Sequence, residues 1–525
     1  MRSSRVLVVG AGVGGLVAAL ELAARGREVL LLERADAPGG KMRELQSDGR
    51  GLDAGPTVFT MRWVFDELFD RIGTTLERHL TLRPAHTLAR HAWEGGGKGP
   101  VQLDLFADIE RSADAIGAFA GAADARGYRD FCARSRRIYR TLEKPFLRGT
   151  RPSPLTLAGR VGLRGLPDLA RISPFATLWG ALGRHFRDPR LRQLFGRYAT
   201  YCGSSPFMAP ATLMLVAHVE QEGVWLVDGG MHHVAEVLAR LAVLRGAVIR
   251  YGAQVDRLLL RDGRASGVQL AGGETLESHA VVFNGDVSAL AEGLLGDGAR
   301  SAVARQAASR RSLSAITWNL LAPTRGFELL RHNVFFSNDC PAEFNQICTR
   351  SRWPTDPTVY VCAQDRGAGT DVGGCLEPAG PERLLCLVNA PPTGDGPAHH
   401  PQELAQCEER TFQRLSRCGL QIERDPSHSR TTTPADFERL FPATGGALYG
   451  PVSHGWRATF RRPGSRSRIP GLYLAGGSTH PGPGVPMAAL SGCLAAASVL
   501  EDASRRPAST TPLPAVATPG GISTR

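Results

Sequence analysis

Nothing in this 525-residue sequence reads as a membrane span: no apolar run approaches the roughly 20 residues that cross a bilayer as a helix. The ten cysteines are scattered, with no Cys-x-x-Cys and no paired Cys/His spacing, so neither a metal site nor a disulfide framework is expected. Such thiols fit a reduced, cytosolic setting, buried as small apolar residues. No internal repeat is visible. Arg2 and Arg5 precede an apolar stretch, as in a secretory leader, but the glycine pattern and the charged helix that follow (Glu21, Arg25) argue against one. Acidic residues are scarce in one place. Between Arg126 and Arg197 seventeen Arg or Lys face four Asp or Glu, so this stretch carries essentially all of the formal charge of +12. Phe131, Phe146, Leu155, Phe175 and Trp179 are interleaved with them. That mixture suits the face of an anionic membrane, arginines meeting headgroups and apolar side chains entering the interface. A solvated basic surface over a helical core is the plainer alternative. No nucleic-acid module accompanies the charge, so no nucleic acid is expected as a partner.

What is present is concentrated at the two ends. Arg5–Val9 is an apolar run of strand length, followed by Gly10-Ala11-Gly12-Val13-Gly14-Gly15 and a helical pattern through Leu16, Ala19, Leu20 and Ala23. A second apolar run, Val29–Leu32, ends in Glu33. Strand, Gly-x-Gly-x-x-Gly, helix, strand and acid in this order make a dinucleotide-binding unit. Gly10 permits a tight turn, Gly12 lets the backbone approach a pyrophosphate, and Gly15 lets helix and strand close up. The helix start offers free N–H groups to phosphate. Glu33 is placed to accept from ribose hydroxyls and would repel a 2′-phosphate, which disfavours NADP. Arg34, Gly39, Gly40, Lys41 and Arg43 follow, then Leu52-Asp53-Ala54-Gly55-Pro56-Thr57. Near the other end, Leu472–Leu474 leads into Gly476-Gly477-Ser478-Thr479-His480-Pro481-Gly482-Pro483-Gly484-Val485-Pro486-Met487 and a small-residue helix. Backbone N–H groups at that helix start could stabilise negative charge on a ring.

Together these segments resemble the FAD oxidoreductases of the amine oxidase and carotenoid desaturase superfamily. Gly-x-x-His-Pro-Gly-x-Gly-x-Pro before the last helix is similar to the bacterial-type phytoene desaturase family. The run Asp53–Arg62 with Val64–Phe69, and Gly482–Met487, look closest to its hydroxycarotenoid 3,4-desaturase branch. The resemblance covers the flavin segments well and the middle of the chain loosely. It implies FAD held by Gly10, Gly12, Gly14, Gly15, Glu33, Arg34, Gly39, Gly40, Lys41, Gly55, Pro56, Thr57, Val255, Gly476, Gly477, Val485 and Met487, with Lys41 and Arg43 facing the phosphates. It implies a hydrophobic carotenoid substrate of hydroxyneurosporene or methoxyneurosporene type. Phytoene desaturation, isomerisation or saturation with reduced flavin, and a non-catalytic isoprenoid escort role are the other readings of the same motifs.

The implied fold is α/β: a Rossmann-like FAD domain assembled from 1–85, 224–289 and 441–503, with an interleaved α+β substrate and membrane-facing domain in 86–223 and 290–440. The first of these insertions reads as mostly helical, broken by Pro152, Pro154, Pro167, Pro174 and Pro189. Residues 504–525 read as a disordered tail. Removing a hydride from a C–C bond beside a polyene leaves a delocalised cation, so few catalytic side chains are needed. His480 and Arg457 are the candidates. For His480 the alternative is a ring that ties the glycine-rich loop; for Arg457, closure of a tunnel and capping of a surface loop stay open. With no convincing second nucleotide motif, electrons are expected to leave to oxygen or a membrane quinone. The expected location is the bacterial cytoplasm, peripheral to the inner membrane.

Overall fold

The computed structural model describes residues 5–96, 99–172, 175–367, 380–397 and 400–505. A five-stranded parallel sheet is drawn from both ends and the middle of the chain. Its order is Val248–Arg250, Val29–Leu32, Val6–Val9, Ala280–Phe283 and Leu472–Leu474. The four strands other than the exposed edge strand Val248–Arg250 are apolar because both faces are covered. Val6, Val8, Val29, Leu31, Ala280 and Val282 pack toward the helices Val13–Ala23, Met231–Leu244 and Val485–Ser504. Their alternates Leu7, Leu32, Val281, Phe283, Leu472 and Leu474 pack on an antiparallel sheet of Val255–Arg261, Arg264–Leu270 and Thr275–Glu277. The period of two decides which layer each residue joins.

A second, seven-stranded sheet runs Ser429–Thr432, Ser314–Ala322, Glu382–Ala390, Val359–Ala363, His332–Phe335, Thr87–Trp93 and Val101–Phe106. All its pairs are antiparallel except His332–Phe335 with Thr87–Trp93. On one face Ile316, Trp318, Phe335, Val361 and Cys386 form a core with Cys407 and Leu415 of the helix Pro401–Arg417. The other face looks into a cavity. A short sheet of Phe59–Thr60, Val224–Val227 and Leu82–Pro84 joins the two halves, so the run at Val224 lies outside the parallel sheet.

Two helices, Pro189–Gly196 and Leu215–Glu222, line the cavity's other side, and Ala122–Leu142 and Pro154–Arg171 pack behind them. Pro189 sits in the first turn, capped by the Asp188 carboxylate on Arg190 N, where a missing N–H costs nothing. Pro167 lies within its helix; the break occurs instead at Gly162, whose φ is 71°. Pro174 falls outside the described residues. Most of the apolar residues interleaved with the basic stretch are core: Phe131 and Phe186 are buried. Leu155 and Phe175 are the exceptions, 86% and 77% exposed. The expectation about spans also needs correction. Val485–Ser504 is long and apolar enough to cross a bilayer; Ser491, Gly492 and Ser498 disguise this in sequence. It packs against Val13–Ala23, with Gly492 directly over Gly14 O, as a core helix. It also carries ordered structure to Ser504, and 506–525 lie outside the described residues.

Candidate active site

The strand Val6–Val9 delivers its chain into a cradle made almost entirely of backbone. Gly10 adopts φ +98°, a conformation that only glycine takes without strain. Gly12 pairs with Gly39 in an isolated parallel bridge, and a Cβ on Gly40 would stand 3.3 Å from Gly12 Cα. Asn284, from the turn after Ala280–Phe283, donates to Gly10 O at 3.2 Å and fills the space beside Gly12, Gly14 and Gly476. Its own Oδ1 is buried without a hydrogen-bond partner at the cradle wall. A buried acceptor rarely stays unpaired, so the cradle fits a group that can donate or bring water. Glu33 lies at the far lip. Its Oε2 accepts from Ala11 N at 2.6 Å and Oε1 from Ala35 N at 2.9 Å, which fixes the carboxylate while leaving lone pairs for a diol.

The cradle opens into one continuous cavity of about 720 Å³. Gly10, Gly12, Gly14, Glu33, Arg34, Gly39, Gly40 and Lys41 line its first end, followed by Gly55, Pro56 and Thr57. Val255, Gly476, Gly477, Val485 and Met487 complete this end. Gly15 does not line it. A Cβ there would lie 2.1 Å from Gly10 O, so Gly15 serves the contact of helix with strand. Beyond the Thr57 loop the walls become largely apolar. Alternate residues of the seven-stranded sheet, among them Val334, Leu385 and Leu387, form one wall; Leu194, Val216 and Val219 form the other.

Five residues singled out in the sequence are engaged by other parts of the chain, His480 and Arg457 in the structural alternative already open to each. His480 does not line the cavity: its Nε2 donates to Gly149 O at 2.9 Å and its ring packs edge-on to Phe146 at 4.8 Å. It is therefore a structural tie between the glycine-rich turn and the Glu143–Leu147 segment. Arg457 is exposed, its guanidinium 5.1 Å from the Trp456 ring, at the start of the short Ala458–Phe460 turn; it caps a surface loop. Lys41 lines the cavity, but Nζ donates to Leu448 O at 2.6 Å and burial lowers its pKa. Arg43 is turned toward Thr432 Oγ1 at 3.0 Å. Arg34 likewise is held by the carbonyls of Arg439 and Leu440.

Two residues with no expected role organise the site. Asp53 accepts from Met231 N at 2.7 Å and His232 N at 2.9 Å, capping Met231–Leu244 and joining the Gly55 loop to the middle segment. Its sequence signal is the Asp53-Ala54-Gly55-Pro56 run. Arg462 donates to Gly477 O, Tyr449 O and Pro451 O at 2.9, 3.0 and 2.6 Å. Burial lowers its pKa to about 10, and it lines the cavity. It brings a positive charge beside the glycine-rich turn, and nothing in its sequence context marks it.

Burial also holds several histidines neutral. His480, His218 and His454 are depressed from 6.5 to about 4, and His91 and His332 to about 3. Between pH 6.5 and about 4 an unfolded chain binds protons that the folded protein refuses, so stability falls as pH drops through that window. The urea midpoint should be clearly lower at pH 5 than at pH 7.5; equal midpoints would count against these assignments.

The model of the flavin containing amine oxidoreductase family matches residues 13–500. The chain belongs to that family. FAD is accordingly the cofactor that the cradle takes. A hydroxyneurosporene desaturase of Rubrivivax gelatinosus is 55% identical over 528 residues, covering 100% of this chain and 98% of that protein. One of Cereibacter sphaeroides is 47% identical over 502 residues, covering 96% and 98%. Among solved structures, putrescine oxidase with putrescine bound shares the fold with a TM-score of 0.56 at 13% identity, covering 96% of this chain and 99% of that one.

Proposed function

We propose that this flavoprotein is a carotenoid desaturase that introduces the C3–C4 double bond of a 1-hydroxylated acyclic carotenoid. The observation that carries this reading is the single cavity, in which a glycine cradle for FAD continues into an apolar chamber. The relatives named hydroxyneurosporene desaturase support the substrate class. FAD, when bound, supplies the hydride acceptor. Balanced, a CH–CH single bond becomes C=C, with one hydride to the cofactor and one proton to solvent. The chain itself contributes apolar walls that exclude water and hold the polyene straight, while Arg462 and the N–H groups at the start of Val485–Ser504 favour negative charge at the cradle.

Peripheral membrane binding, on the cytoplasmic side of a bacterial inner membrane, is part of the proposal. Leu155, Phe175 and Met208 are exposed. Phe175 packs on Trp456, Gly455 N bonds Met208 O, and Arg151 holds Phe460 O. They form an apolar patch rimmed by Arg151, Arg160 and Arg457. The neighbouring Phe146, Leu147, Ser453 and Thr459 line the cavity, so a lipid-borne substrate would meet its entrance there. Reoxidation by oxygen or by membrane quinone completes the cycle.

The test is incubation of the FAD-loaded protein on anionic liposomes with a 1-hydroxylated neurosporene and, separately, with phytoene. Loss of two mass units with a red-shifted spectrum from the hydroxylated substrate is the expected result. Conversion of phytoene alone would move the activity to an earlier desaturation, and no mass change with either would remove it. In the same assay, rates under air against anaerobic quinone identify the acceptor, and Leu155→Asp with Phe175→Asp should cut co-sedimentation with the liposomes.

A further inference from the structure

The apolar chamber carries one contiguous band of polar side chains that a hydrocarbon does not need. It begins at the cofactor loop, where Thr57 Oγ1 and Tyr360 OH are 2.7 Å apart and His332 Nδ1 is 2.8 Å from the same hydroxyl. The Arg197 guanidinium lies over the Tyr360 ring at 5.2 Å and the Tyr201 ring at 5.4 Å, and donates to Tyr201 OH at 3.2 Å. Tyr198 OH donates to Glu220 Oε2 at 2.6 Å. The Tyr201 ring packs edge-on to that of Tyr198 at 5.6 Å, and burial raises the Glu220 pKa against the pull of both tyrosines and Arg197. All of these residues line the cavity.

Burying a carboxyl in such a wall is unfavourable, and leucine would serve a polyene better. With Tyr198 as its hydrogen-bond donor, Glu220 keeps unused acceptor capacity, since an ionised carboxylate offers about four lone-pair sites. The proposed substrate carries one donor, the hydroxyl at C1. Only C2 separates C1 from the reacting C3, so at about 1.5 Å per bond the hydroxyl oxygen lies within about 4 Å of C3. Whatever reads the hydroxyl must therefore lie within about 7 Å of the reacting carbon, one hydrogen bond beyond that oxygen, and the band that runs from the Thr57 loop to Glu220 is polar surface on that side of the chamber.

We propose that Glu220, held by Tyr198, Tyr201 and Arg197, accepts the hydrogen of the carotenoid's terminal hydroxyl and so determines which C–C bond is presented to the flavin. This rests on the function proposed above. It makes Glu220 a specificity-determining residue and Arg197 a positioning one: the arginine holds the Tyr201 hydroxyl at 3.2 Å within the same cluster.

The test compares kcat/KM for a 1-hydroxylated carotenoid and for its unsubstituted counterpart in FAD-loaded wild type, Glu220→Gln, Glu220→Leu and Tyr201→Phe. In Glu220→Leu the hydroxylated-to-unsubstituted ratio should fall about tenfold to a hundredfold, the worth of one hydrogen bond to a charged group. Glu220→Gln, which keeps an acceptor, should retain part of the ratio, and the products of Glu220→Leu should include other regioisomers. A Glu220→Leu protein whose two rates fall by the same factor, with one product, would overturn the proposal. If that variant does not hold FAD, Tyr201→Phe decides, with a smaller fall in the ratio expected and an unchanged ratio contrary. A wild type that prefers the hydroxylated substrate while the variants keep the preference removes the reader alone. A wild type that never converts the hydroxylated substrate removes the proposed function and the reader with it.

Discussion

Gly492→Val should purify with little or no FAD, although residue 492 does not line the cavity. A Cβ on Gly492 would stand 2.3 Å from Gly14 O and 3.0 Å from Val17 Cβ, and one on Gly14 would stand 2.7 Å from Gly476 N. The helices Val13–Ala23 and Val485–Ser504 thus touch backbone to backbone, and both of their starts line the cradle. A carbonyl in a helix cannot swing aside, so valine must push the helices apart. Overpacking of this kind costs about 1–3 kcal/mol in a core, and here the displacement widens the cofactor site itself. We expect flavin content, read from the ratio of 450 to 280 nm absorbance, to drop at least about tenfold, since ~1.4 kcal/mol is tenfold in binding. Gly159→Ala is the control, because nothing lies within 4 Å of a Cβ there. Full flavin content in Gly492→Val would show that the two helices can separate without cost to the site.

The second large effect concerns stability. Arg366 and Glu382 form a two-pronged ion pair, Nε to Oε2 and Nη2 to Oε1 both at 2.9 Å, with side chains only 3% and 1% exposed. Arg366 also donates to Leu329 O at 3.1 Å, so the pair pins the end of the Glu382–Ala390 strand to the neighbouring loop. Removing one partner leaves the other charge buried, which typically costs about 3–5 kcal/mol. Glu382→Leu should lower the unfolding free energy in urea by about that amount. Arg366→Met combined with Glu382→Leu should recover most of it, because two apolar groups need no compensation. A double variant as unstable as the single one would mean that the pair contributes through packing rather than charge.

How much of this was legible depends on how far each feature reaches along the chain. The cradle is local: Gly10, Gly12, Gly15 and Glu33 belong to one strand–helix–strand unit whose spacing is dictated by the backbone, and the parallel sheet followed from its apolar strands. The strands of the cavity wall were readable too: Ala315–Leu321, Thr358–Ala363 and Leu384–Asn389 are β-like in sequence, and strands stand at Ser314–Ala322, Val359–Ala363 and Glu382–Ala390. Side-chain direction was not readable. His480 meets Gly149, 331 residues away, and Lys41 meets Leu448, 407 residues away; a motif cannot tell which neighbour the folded chain will bring. Arg197 illustrates the same limit. It counts as one more cation in a basic stretch, yet it lies in the cavity wall while Leu155 and Phe175 face solvent. The alternation of basic and apolar residues there is the signature of amphipathic helices packed on a core, and the exposed apolar part is a small remainder of it.

The order of the parallel sheet bears on how the protein is made. Its first strands leave the ribosome at once, but Leu472–Leu474 and the helix that begins at Val485 are nearly the last ordered parts to appear. Until they do, the nascent chain exposes Val281 and Phe283 on an unpartnered edge, and the glycine cradle stands open on one side. Cofactor capture is therefore a late event in biosynthesis, and a chain cut short before residue 472 cannot complete its flavin site. A yellow protein is, in effect, one made through the helix Val485–Ser504.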